Sequence, residues 1–142
     1  GKLERARQLA PVFSYLAERT HEHDLTRAVG NRILEYAGTD ADMLAVTAWG
    51  LARTGLPENT ELALATADKA LEISGGANDR AHAARGEALF SLGRNDEAAA
   101  AVRKAIEAAT ETSRKEEYEA MLSNRTGASA GGGQATEGKA KP

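Results

Sequence analysis

Ala84-Arg85-Gly86-Glu87-Ala88-Leu89-Phe90-Ser91-Leu92-Gly93-Arg94-Asn95-Asp96-Glu97-Ala98 is the stretch that decides the fold of this chain. From Ala84 to Leu92 it holds mostly good helix formers with no Pro and no β-branched residue, and Gly93 follows where a helix closes on a left-handed residue. Asn95 or Asp96 then supplies an N-cap for a second helix, with Glu97 in its first turn. Only two or three residues separate the helices, so they fold back on each other antiparallel.

The same pattern recurs along the chain. A tetrad near the end of a helix appears as Arg32-Ile33-Leu34-Glu35, Lys69-Ala70-Leu71-Glu72 and Lys104-Ala105-Ile106-Glu107, spaced 37 residues (32 to 69) and then 35 (69 to 104). These spacings fall inside the ~20 to 50 window of stacked helical repeats. The glycines Gly55 and Gly93, 38 apart, keep the same period. Each helix pair leaves an apolar face that only the next pair can cover.

The punctuation predicts helices over 3–20, 24–37, 40–55, 60–74, 79–92, 95–110 and 113–124, and no segment alternates apolar and polar residues as a half-buried strand does. Pro11 should kink the first helix or stand in the first turn of one beginning near Ala10. Asp24, Thr39 or Asp40, and Asp79 are the expected N-caps, and Leu56-Pro57 the expected loop. Ser113 and Glu116 have the spacing of a capping box, with Tyr118, Met121 and Leu122 on the apolar side of the helix that they open.

The stretch from Ala84 to Ala98 resembles the heart of a tetratricopeptide repeat, with Val102, Ala105 and Ile106 where the second helix of such a repeat packs. The resemblance puts Gly86, Leu89, Ala98 and Ala105 on signature positions, and Leu44, Ala48, Leu51, Ala63, Ala67 and Ala70 fit the preceding repeat. His82 and Arg85 depart from the large apolar residues more usual there, and the loop through Pro57 is about three residues longer than the repeat expects. The resemblance implies an all-α solenoid of about three antiparallel pairs plus a C-terminal capping helix. Ala48, Gly86, Ala98 and Ala105 then stand where helix backbones come close, and a larger residue there costs roughly 1–3 kcal/mol. A looser likeness is to the helical segment appended to multidomain bacterial thioredoxin-like proteins, whose redox motif this chain lacks.

The domain is expected over 1–125. From Thr126 onwards the composition falls to Gly, Ala, Ser and Lys, which predicts a disordered tail over 126–142. Hydrophobic residues make up 42% and charged residues 27%, as in ordinary globular proteins. The net charge of −3, with no basic block, gives no nucleic-acid footprint, and no apolar run is long enough for a membrane span. The absence of cysteine removes thiol catalysis and thiolate metal sites while leaving the compartment open, cytoplasmic or extracytoplasmic. The start at Gly1 rather than Met is read as a fragment of something longer.

Trp49 and Arg53 share a face of the third helix, and Arg80, Glu87 and Phe90 share the equivalent face of the fifth. In a solenoid that face lines the groove, so these five residues are the expected contacts for a protein or peptide partner. The opposing expectation is that Trp49 packs under the Pro57 loop and Phe90 against a neighbouring helix. His21-Glu22-His23-Asp24 has i, i+2 histidines in a turn, which do not share a helical face, so no metal or cofactor is expected. His82 has no triad partner at an evident spacing, and Gly131-Gly132-Gly133 neither follows a strand nor opens a helix. The charges Arg114, Lys115, Glu116, Glu117 and Glu119 suit the solvated side of a capping helix.

The leading expectation is therefore a non-enzymatic interaction module, a monomer or weak homodimer, holding a partner in a helical-repeat groove. One alternative is an accessory domain of a larger extracytoplasmic protein. The other is a small metal-dependent helical enzyme built around His21 and His23.

Overall fold

The computed structural model of the protein describes residues 1–127. Among the described residues there are seven helices and no strand: α1 (Lys2–Arg19), α2 (His23–Ala37), α3 (Ala41–Ala52), α4 (Pro57–Ser74), α5 (Asp79–Ser91), α6 (Asn95–Ala108) and α7 (Thr112–Thr126). The described residues are all-α, as the sequence predicts. The expected tail lies outside the described residues except for Thr126, which ends α7, and Gly127, whose φ of 73° closes it. Gly131-Gly132-Gly133 also lies outside.

Local chemistry sets the boundaries. The Asp40 carboxylate accepts from the Met43 backbone N at 2.9 Å to open α3, and the Asn78 side chain accepts from Ala81 N at the same distance to open α5. Asp79, expected as the cap of α5, is instead its first residue. Its carboxylate is thereby free to meet α7. Helix α4 starts at Pro57, not near residue 60, because proline suits a first turn in which its missing N–H is not required. Pro11 lies inside an unbroken α1. Both Pro11 and Arg7, whose carbonyl loses its donor to the ring, are on the exposed side, where water can satisfy that carbonyl.

The expected capping roles of Asp24 and Ser113 do not form. Helices α2 and α7 begin one residue earlier in each case, with Glu22 and Glu111 at the N-cap and no side-chain cap bond. Gly75 and Gly93 do stop α4 and α5, with φ of 64° and 79° that a residue bearing a Cβ seldom adopts.

Connections of three or four residues join the helices, so successive ones run antiparallel. Helix α1 packs on α2, α3 on α4 and α5 on α6. Between these pairs, α3 lies against α1, α2 and α5, α4 lies against α5, and α7 lies against α6. Three apolar clusters fill the interior. One runs from Phe13 and Ile33 to Leu51, Ala63 and Ala88, one gathers Ala37, Leu44, Ala45, Ala70 and Ala81, and the third runs from Trp49 through Leu89, Phe90 and Val102 to Tyr118 and Leu122. Helices α3, α4 and α5 contribute to all three.

The residues assigned to packing from the sequence are buried: Leu44, Ala48, Leu51, Ala63, Ala67, Ala70, Leu89, Ala98, Val102 and Ala105, with Gly86 beside them and Ile106 partly covered. Small side chains make this contact possible. A Cβ on Gly86 would stand 2.6 Å from Val102 Cγ2 and 3.2 Å from the Ala98 carbonyl, closer than van der Waals contact permits. Gly50 does the same for the Phe13 ring, 2.3 Å from where its Cβ would be.

Candidate functional site: the cleft around Trp49

Helix α3 presents Trp49 and Arg53, α5 presents Arg80, Glu87 and Phe90, and α7 faces them. Trp49 is nearly enclosed at 8% exposure. Tyr118 of α7 meets it edge-on with ring centroids 6.5 Å apart, and two guanidiniums stack on it, Arg53 at 5.2 Å and Arg80 at 4.9 Å from the ring centre.

Arg80 lies between two rings, because it is also 5.4 Å from the centre of Tyr118. It pairs with Glu117 at 3.6 Å. Phe90 is likewise 8% exposed, with the Arg125 guanidinium 5.3 Å from its ring centre. The same guanidinium forms an ion pair with the buried Glu87 carboxylate. Stacking keeps a guanidinium partly dehydrated while its N–H edge stays available to an acceptor.

Tyr118 is enclosed and donates its hydroxyl hydrogen to Asp79 at 2.7 Å, while Arg114 pairs with the same carboxylate at 3.1 Å. Burial, and then the Asp79 hydrogen bond, push the Tyr118 phenol up from 10.0 to about 12.

Between these groups lies a cleft of about 470 Å³ walled by Trp49, Arg53 and Glu87 on one side and by Glu117, Met121 and Arg125 on the other. A smaller cleft of about 230 Å³ shares Trp49, Arg53 and Glu117 and continues to Phe13, Ala17 and Glu18 of α1. Trp49, Arg53 and Glu117 line both clefts, and α1, α3, α5 and α7 all contribute residues to one or the other. Arg53 is exposed and, among the described residues, forms no ion pair with a carboxylate.

All five residues expected as partner contacts thus belong to one neighbourhood, although only Arg53 is broadly exposed. Sequence reasoning puts Glu117 on a solvated face and does not bring Glu117, Tyr118 and Arg125 of α7 to this site. One available signal was spacing: Arg114 and Tyr118 stand 35 and 39 residues after Asp79, and Arg125 stands 38 after Glu87, so the period continues into α7.

The remaining candidates lie apart. His21 and His23 meet edge to face at 6.0 Å, and among the described residues no three His, Cys, Asp or Glu side chains converge as metal ligands. His82 Nε2 is 2.8 Å from the Gly76 carbonyl, where it fastens the turn before α5. No described helix is long and apolar enough to cross a membrane. Comparison of the chain with protein-family models, with curated proteins and with solved structures finds no match.

Proposed function

We propose that the chain is a tetratricopeptide-like helical-repeat module that binds a segment of a partner protein in the groove floored by Trp49, and that it performs no chemistry of its own. The pairing of α1 with α2, α3 with α4 and α5 with α6, and the contact of α3 with both α1 and α5, support the stacked reading. The observation that carries the binding reading is Arg53. An exposed guanidinium lying on an indole at the floor of a groove, with no carboxylate of its own, is a preorganised donor for an acidic side chain or a backbone carbonyl of an incoming chain. Trp49, Arg80 and Glu87 shape the wall beside it, and Phe90 lies behind it in the apolar cluster that Trp49 also joins.

A random peptide library selected on the full chain tests this. Binders should lose at least tenfold in affinity for the Arg53→Glu chain and keep it for a control with the exposed Lys69 of α4 changed, Lys69→Glu, while the thermal midpoint of the Arg53 variant stays unchanged. Binders indifferent to Arg53, or a selection that yields none, would refute the groove assignment.

A further inference from the structure

We infer that α7 is a ligand held in cis: it covers the groove's anchor residues as a displaceable helix, and its seat accepts a partner helix of the same charge pattern. The inference rests on the groove reading and names the control of that site. Four of the five anchors are engaged by α7: Trp49 by Tyr118, Arg80 by Glu117, and both Glu87 and Phe90 by Arg125. Only Arg53 is left to the open groove.

The grip is of a kind that lets go. Helix α7 buries just Tyr118 and Leu122 fully. The rest of its contact with α5 runs through long side chains that bridge the cleft, and in each ion pair the α7 partner is the more exposed one: Glu117 at 44%, Arg125 at 38% and Arg114 at 34%. Its backbone packs closely on α6, whereas α3 is flanked by four helices.

Helix α7 also supports itself poorly. Its first turn holds no acidic residue and carries Arg114 and Lys115 at the positive end of the helix dipole, and Glu111 makes no cap bond. An element with few buried contacts and a weak start opens locally before the rest of the fold. Ala109 and Glu111 on its entry are extended, with ψ of 130° and 131°, so the joint can swing without unwinding α6.

The seat specifies its occupant. A helix that replaces α7 needs a carboxylate for Arg80, a ring hydroxyl one residue on for Asp79 and Trp49, an aliphatic residue four further on, and a guanidinium for Glu87 three after that, as Glu117, Tyr118, Leu122 and Arg125 supply now. A charged amphipathic helix of that register is the partner chemistry it fits.

The test uses the full chain and a labelled synthetic peptide of residues 110–127. In the Arg125→Glu chain the cis helix meets Glu87 with a like charge, and the peptide keeps its arginine. The peptide should bind this chain at least tenfold more tightly than it binds the wild type. An Arg125→Glu peptide should not bind it. The Glu87→Arg, Arg125→Glu double variant should close again and reject the wild-type peptide. Glu117→Arg, which opposes Arg80, repeats the comparison should circular dichroism show the first variant unfolded. Equal peptide affinity for variant and wild type, or no binding to any chain, overturns the inference. Failure of the groove reading appears separately, as library binders that ignore Arg53.

Discussion

Gly86 shows how much of this fold is decided by one missing methyl group. Alanine is the better helix former by about 0.5–1 kcal/mol, so at an open position Gly86→Ala would stabilise α5. Here the new Cβ would lie 2.6 Å from Val102 Cγ2, and the second contact is backbone, the Ala98 carbonyl. Overpacking of this kind costs about 1–3 kcal/mol, so the expected net effect is a loss of about 1 kcal/mol by chemical denaturation. In a Val102→Ala background the loss should shrink or reverse, because the crowding methyl is gone. Tyr118 gives a second residue-scale prediction. Its phenol is pushed up to about 12 by burial and by Asp79, so the folded state favours the un-ionised form. Its contribution to stability is complete below the ordinary value of 10.0 and is lost as pH rises from there towards 12. Phenolate absorbance should show a step near pH 12, and Tyr118→Phe should remove it.

At the scale of the element, the caps separate what the sequence made legible from what it hid. Asp40 and Asn78 stand 38 residues apart and do the same work, each accepting from the backbone N three residues on, and Asn78 also donates to Asp42 at 2.8 Å. Asn78→Ala should cost about 1 kcal/mol in a thermal or denaturant melt, with Ser recovering most of the loss. Helix existence and the Gly93 stop are readable because they rest on local chemistry. Whether Asn78 or Asp79 caps α5 was not, since both suit the position and the choice falls to α7, whose Tyr118 and Arg114 claim the Asp79 carboxylate. The start of α4 was missed for a related reason: Pro57 reads equally as a loop residue and as a first-turn residue. In the site, period and face pointed to Trp49, Arg53, Arg80, Glu87 and Phe90. Their enclosure by α7 was invisible, because the charges of α7 suit a solvated helix as well as they suit cross-groove pairs.

Across the whole molecule, the three apolar clusters imply that stability is graded along the chain. Helices α3, α4 and α5 belong to every cluster, whereas Phe13 and Leu122 each serve one end. In a stack whose units touch only their neighbours, damage at an end stays at that end, and damage at the centre is felt by all. Three truncations of enclosed side chains separate these cases: Phe13→Ala on α1, Leu51→Ala on α3 and Leu122→Ala on α7. Each removes apolar volume from a closed site and should cost about 2–5 kcal/mol at the place where it acts. Amide hydrogen exchange should show Phe13→Ala weakening protection in α1, α2 and the facing side of α3 while sparing α6 and α7, and Leu122→Ala weakening it in α7 and the facing turn of α6. Leu51→Ala should lower protection in α3 and in all four helices that it contacts, α1, α2, α4 and α5. Were all three to lower protection uniformly, the helices would form a single indivisible core, and the stacked reading, with the groove that depends on it, would fail.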